Sequence, residues 1–524
     1  MKKKTVCILT SGTGSRLEDY TTNKNKSLLA IKKESILSKI LNNFPKNTNF
    51  IVSVGYKSNQ VRDFIKIHHS DLNIKFVNIK NFSGKKSGPA LSLFKCKSFL
   101  QKPFYFVSCD TLWTKKIFHL KSYNWMGSFK SKKLNTLNYC NLITRKDKII
   151  QIIDKKKIFN KKNLEIFVGL AFIKDFKTFW DGFNFNQEGE PQISMGFKNL
   201  LRKKKSLKKV HVDWEDTGTK KNYENLVNKY EKYNFNKEDQ QIYISKDKVT
   251  KFFNNKKTII NLFEKAKLNK KVYPEKLITR NNFISYKFIK GKTLYKSYNL
   301  KNFKSLLLFL EKNLWNKKNK KTKKFKEDCV KFYYSKTHDR VNKFLKNSKS
   351  IDIKNLTFKR VKLLQIKQLL KIIDWKNIFN GIPVSIHGDL QFDNIIQVSK
   401  NNFKLIDWRP KFGNNIDIGD LYYDYAKLLG GLLINYDLVK QNRFKIKISN
   451  QKVNMTIPSR SKTNKLITYF ENYLINKQID TNKVKILTGI IFINMSPLHH
   501  HPFDKLLFLY GKYFLQKNLI LKND

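Results

Sequence analysis

Apolar residues in this chain fall in short clusters separated by lysine- and asparagine-rich stretches, and their period distinguishes strands from helices. Four runs are continuous or alternating: TVCILT (5–10), PVSI (383–386), NIIQV (394–398) and FKLID (403–407). These predict strands, several of them running directly into loops that carry polar residues. NLFEKAK (261–267) reads as helix. NKYEKYNFNKEDQQ (228–241) is charged and poor in apolar residues, so it predicts a junction between a unit spanning 1–232 and a second spanning 240–524.

The strongest chemical signal lies between the strands of the second unit. HGDLQFDN (387–394) is followed by LIDW (405–408), placing two carboxylates and an amide on a loop and at a strand end. Phosphoryl transfer to an alcohol needs that set: Asp389 to accept the hydroxyl proton, and Asn394 and Asp407 to hold magnesium against the phosphates of ATP. A polar turn capped by Asp389 and Asn394 would not need a third carboxylate on a separate strand. Residues 385–408 resemble the catalytic core of the aminoglycoside phosphotransferase and choline kinase family. The resemblance implies a two-lobed, protein-kinase-like α+β domain whose second lobe is largely helical. It further implies that Lys251 in KVTKFF grips the α- and β-phosphates with Glu264 as its ion-pair partner, that 286–294 (YKFIKGKTL) links the lobes with Gly291 in a tight turn, and that 419–429 forms a helix beneath the active site. WRPKFG (408–413) departs from the acidic stretch that choline kinases often carry there.

The N-terminal strand opens a second, independent site. TVCILTSGTGSR leads into a loop where Gly12, Thr13, Gly14 and Ser15 bring backbone N–H groups to a triphosphate, and where Arg16 and Lys26 offer positive charge to a departing pyrophosphate. A dinucleotide-binding unit begins similarly but turns straight into a helix, whereas here a Thr/Asn/Lys stretch intervenes before KSLL. The pattern resembles the nucleotidylyltransferases that activate sugar phosphates and phosphocholine, and the resemblance implies a Rossmann-like mixed sheet of the GT-A type. It also implies that Asp110, ending FVSCD, and Asp216, in DWEDTGT, bind magnesium, that Gly88 lies near the nucleobase, and that Asp154 and Lys155 stand where sugar enzymes contact the acceptor phosphate. Asn25 stands where the family usually has proline, and Ser11 where a small apolar residue is common.

Composition changes this picture little. Lys and Arg number 106 against 40 acidic residues, a formal charge of +66. The lysines are spread through every segment together with Asn, Ile and Phe, a pattern expected of AT-rich codons, so specific nucleic-acid binding is not inferred. The most basic runs, 201–209 and 315–326, read as solvated faces or loops. No apolar run is long enough to span a bilayer, and the start does not read as a signal peptide, so a cytoplasmic location is expected. Five scattered cysteines without a CxxC pair argue against a disulfide framework or a zinc site.

The expectation is an α/β chain with two active sites. One phosphorylates a small alcohol (choline-like, polyol or sugar) with ATP, and the other couples a phosphate monoester to a second nucleotide, CTP or UTP, for surface glycan or lipid decoration. A sugar-1-phosphate nucleotidylyltransferase joined to a sugar kinase is the nearest alternative, and a non-catalytic nucleotide- or polyanion-binding protein is the alternative of another class.

Overall fold

The computed structural model describes residues 3–84, 87–115, 122–130, 136–156, 158, 163–185, 191–230, 239–317, 322–348, 351–460 and 463–520. Most of the expected junction falls outside them. The chain is mixed α/β and divides into two compact units. One comprises Met1–Glu231 with Glu238–Asn254 and Arg280–Ser285, and the other is built on Asn255–Thr279 and Tyr286–Asp524.

The first unit is built on a nine-stranded sheet. Its order is Asn73–Asn78, Asn49–Val54, Thr5–Leu9, Phe104–Ser108, Leu164–Ile173, Asn124–Phe129, Leu207–His211, Lys148–Asp154 and Cys140–Arg145. The first four strands are parallel; Leu164–Ile173 then joins antiparallel. Thr5–Leu9 is buried along its whole length, as a central strand covered on both faces requires, which is why its sequence is continuously apolar. Lys208 and Lys209 of the basic run 201–209 do not form a loop: they lie in the strand Leu207–His211 and pair with Asp147 and Glu165.

The packing boundary does not coincide with the junction in the sequence. The antiparallel strands Gln240–Ile244 and Lys248–Phe253 belong to the first unit, and Tyr243, Phe252 and Phe283 share one apolar core with Leu28, Val61 and Phe64. Polar anchors reinforce it: the Tyr243 hydroxyl donates to the Leu28 carbonyl at 2.7 Å, and Arg280 and Asn281 both donate to the buried Asp63.

In the second unit, Pro383–Ser385 pairs antiparallel with Ile418–Asp420, and Ile395–Ser399 pairs with Asn402–Leu405. Behind them pack the helices Leu421–Leu433, Thr481–Met495 and Phe503–Leu519. The helix Leu421–Leu433 is buried on nearly all sides, which explains its lack of a polar face. Gly291 serves close approach: a Cβ there would lie 2.5 Å from the Gln397 carbonyl oxygen. Among the described residues no helix is long and apolar enough to cross a membrane.

Candidate functional sites

In the first unit the strand Thr5–Leu9 delivers Thr10 and Ser11 into the loop, and Gly14 turns it with φ 72°. Arg16 follows on a single helical turn, Ser15–Leu17, and Lys26 begins another, Lys26–Leu28. Asn25 caps that second turn from a fully buried position. Its amide donates to the Thr10 and Tyr56 carbonyls (3.1 and 2.7 Å) and its oxygen accepts from the Ser27 N–H and hydroxyl. Where proline would stiffen the loop by covalent restraint, asparagine fixes it by cross-linking three segments.

Asp110 and Asp216 are far apart in sequence but adjacent in space. A short antiparallel ladder sets Asp216 opposite Thr111, and Thr217 donates to the Asp110 carbonyl from both its N–H and its hydroxyl. Lys26 Nζ lies 3.1 Å from Asp110 Oδ2. Burial pushes the Asp110 carboxyl up, but Lys26 and Arg16 outweigh it and hold the group below its ordinary range. Burial also works against the Lys26 charge, yet Asp110 keeps the ammonium above its usual value. Asp216 behaves oppositely. Burial raises its pKa, Asp110 adds repulsion, and donors from Gly218 N–H, Asn222 and Tyr139 offset this only in part.

These groups meet at one point. A Cβ placed on Gly218 would stand 3.0 Å from Asp216 Oδ1, 3.3 Å from Arg16 Nη2 and 3.5 Å from Asp110 Oδ2. The space left by the missing side chain is therefore walled by two carboxylates and a guanidinium. Two carboxylate oxygens bordering such a space, their mutual repulsion only partly offset by their donors, suit a magnesium ion that takes its remaining oxygens from phosphate and water. Among the described residues no group of three or more His, Cys, Asp or Glu side chains could hold a metal. Gly88, with φ 149°, starts the turn into Pro89–Phe94. Asp154 pairs with Lys198 at 2.5 Å.

In the second unit, residues 387–394 form a loop held from below by a residue the sequence reading did not single out. Asp424, on Leu421–Leu433, accepts the N–H groups of His387 and Gly388 (2.9 and 2.8 Å) and the Trp315 indole N–H (3.1 Å). Burial nonetheless pushes its carboxyl up to about 6. The His387 ring spans the loop, with Nε2 donating to the Ile406 carbonyl and Nδ1 accepting from the Asp389 N–H. This ties the loop to the strand end that carries Asp407, whose backbone is left-handed at φ 58°.

Asp389 is met by two cations that were also missed. Lys427, one turn beyond Asp424, lies 2.7 Å from Asp389 Oδ1, and Arg409 donates to the Gly388 carbonyl from Nε. Burial alone would raise the Asp389 pKa, but these two charges hold it at about 2. Asn394 directs its NH₂ to the Asp389 carbonyl and to Oδ2 (3.0 and 3.4 Å), which leaves its amide oxygen as the atom suited to a cation. Glu264 is half exposed and pairs with Lys267 of its own helix at 3.0 Å. Lys251 is buried on Lys248–Phe253, in the first unit.

Comparison by sequence with protein-family profiles gives no match, and comparison with curated proteins gives none. Solved structures resembling the N-terminal part include the inositol-1-phosphate CTP transferase from T. maritima (16% identity, TM-score 0.36, 44% of this chain and 97% of that one). Others are CTP:phosphocholine cytidylyltransferase from Streptococcus pneumoniae (16%, TM-score 0.35, 43% and 98%) and a UDP-glucose pyrophosphorylase complexed with UDP-glucose (13%, TM-score 0.38, 44% and 98%).

Proposed function

We propose that this chain is a bifunctional transferase: its first unit joins a phosphate monoester to a nucleoside triphosphate with release of pyrophosphate, and its second phosphorylates a small alcohol with ATP. The observation that carries the reading is the convergence of Arg16, Asp110 and Asp216 on the space beside Gly218, with Lys26 bonded to Asp110.

In the first reaction the loop N–H groups from Gly12 to Ser15 cradle the triphosphate. Arg16 and Lys26 stabilise negative charge as it accumulates on the departing pyrophosphate. Asp110 and Asp216 would hold magnesium, which when bound neutralises the α-phosphate and the incoming phosphate oxygen. No protein base is required, because a phosphate monoester is already a dianion near pH 7.

In the second reaction Asp389 orients the acceptor hydroxyl and takes its proton. A carboxylate held at about 2 is a weak base, which suits a loose transition state in which the proton leaves late. Asn394 and Asp407 would hold the magnesium of ATP. Consecutive use of the two sites would turn R–OH into R–O–phosphate and then into a nucleotide-linked R.

The test is a product screen by mass spectrometry with magnesium, ATP and CTP or UTP, run on the wild type, Asp389→Ala and Asp110→Asn. Asp389→Ala should lose ADP formation yet still release pyrophosphate when given a ready-made phosphate monoester, and Asp110→Asn should do the reverse, each loss about a hundredfold or more. Loss of both activities in either variant would argue against two separate sites.

A further inference from the structure

Lys427 and Arg409 face Asp389, and around Arg409 the second unit gathers two further cations, Lys336 and Arg340, with almost no compensating charge. Lys336 and Arg340 stand one turn apart on the helix Lys336–Asn347, Arg409 follows Asp407 by two residues, and Lys427 projects from Leu421–Leu433. Lys336 and Arg409 share the same two aromatic rings: they lie 3.1 and 5.1 Å from the Phe332 ring centre and 5.5 and 5.7 Å from that of Tyr423. The Arg409 guanidinium also donates to the Tyr423 hydroxyl, and Arg340 donates to the Asn494 carbonyl. Lys427 is bonded to Asp389. Among the described residues no carboxylate lies within ion-pair distance of Lys336, Arg340 or Arg409.

Such a group is costly to assemble. Burial, and then Arg409, Arg340 and Lys427, drive the Lys336 ammonium well below the usual lysine range, and burial and Arg409 lower Arg340 as well. Cations are rarely held together at the edge of a reacting centre unless an anion completes them. The γ-phosphate supplies negative charge at the metal ligands Asn394 and Asp407. The Phe332 and Tyr423 side, built by other helices, is left for a second anion.

We propose that the acceptor of the second reaction is an alcohol already bearing a negative group, a carboxylate or a phosphate monoester, which Arg409, Lys336 and Arg340 receive while its hydroxyl meets Asp389. This rests on the phosphotransferase reading and narrows it. The hydroxyl oxygen forms the new bond to the γ-phosphorus, the bond from that phosphorus to the β-bridging oxygen breaks, ADP leaves, and the hydroxyl proton passes to Asp389. A quaternary ammonium alcohol is disfavoured, because the aromatic faces that would cage it are covered by Lys336 and Arg409.

The experiment is calorimetric titration of the full chain, with magnesium and a non-hydrolysable ATP analogue, using glycerate, glycerol 3-phosphate, glycerol and choline, with ADP formation from true ATP measured in parallel. Glycerate or glycerol 3-phosphate should bind at least tenfold more tightly than glycerol, and whichever does so identifies the anion. Lys336→Met and Arg340→Gln should each erase that preference and raise the acceptor KM while leaving the KM for ATP unchanged. Equal or tighter binding of glycerol or choline, no binding by any of the four, or a rise in the ATP KM common to all acceptors would overturn the anion site. Anion binding without ADP formation would leave the site standing and remove the phosphotransferase reading instead.

Discussion

The 2.7 Å contact between Lys427 and Asp389 sets the electrostatics of the second site. With Arg409 it keeps the Asp389 carboxyl at about 2 against the upward push of burial, so the group is ionised throughout the working range. Removing Lys427 leaves burial opposed only by Arg409 and His387, and the pKa must rise. Lys427→Met should therefore move the acid limb of the kcat/KM profile for ADP formation to higher pH by about one unit. The direction follows because protonated Asp389 cannot accept the hydroxyl proton, and a higher pKa makes that form persist to higher pH. An unmoved limb would assign it to another group. Asp424, sitting beneath, acts on position: its two oxygens hold the His387 and Gly388 N–H groups. Asp424→Asn loses at least one of these bonds and should cost about 1–3 kcal/mol in chemical unfolding of the second unit.

At the scale of elements, the short ladder between Thr111–Leu112 and Glu215–Asp216 accomplishes what the nine-stranded sheet alone does not: it seats the second carboxylate beside the first. Gly218 is the tightest point of that arrangement. Gly218→Ala would press a methyl to 3.0 Å from Asp216 Oδ1 and 3.3 Å from Arg16 Nη2. Pyrophosphate release should fall about tenfold or more, ADP formation should be unchanged, and the melting temperature should move little, because the methyl enters a ligand space and not the core. Residues in glycine turns and between strands were legible in the sequence, since local period and spacing determine them: Gly12 to Arg16, and the pair Asp389 and Asn394. Asp110 was placed by the resemblance. Asp216 needed the resemblance, because no local pattern announces a pairing with a residue so distant in the chain. Lys427, Arg409 and Lys336 were hidden for another reason. In a chain where lysine occurs everywhere, a cation that faces a carboxylate from a neighbouring helix looks like any other. Glu264 shows the converse, a plausible carboxylate on a helix whose half-exposed side chain takes Lys267 one turn on.

At the scale of the whole molecule, a division drawn by composition differs from the division made by packing. The apolar-poor stretch 228–241 reads as a junction, yet the strands at and beyond its end complete the core of the first unit. Tyr243, Phe252 and Phe283 are each no more than 1% exposed within that core. At about 1.5–3 kcal/mol for each buried large side chain, their removal would cost on the order of 5 kcal/mol, comparable with the whole net stability of a domain. Their polar neighbours reach the segment that carries Lys26. Gln241 accepts from Lys24 at 3.1 Å and Tyr243 donates to Leu28 at 2.7 Å, on either side of Lys26. A fragment ending at residue 232 should thus be insoluble, or melt at least 10 °C below the first unit of the intact chain, and should release no pyrophosphate even below its melting point. Thermal unfolding of the fragment beside the full chain, with pyrophosphate release followed on each, checks this. A fragment of unchanged stability and activity would show that the later strands merely lean on the first unit. The expected result would mean that the first unit depends for its stability on the strands Gln240–Ile244 and Lys248–Phe253 and on residues 280–285, although they lie beyond the boundary that composition suggests.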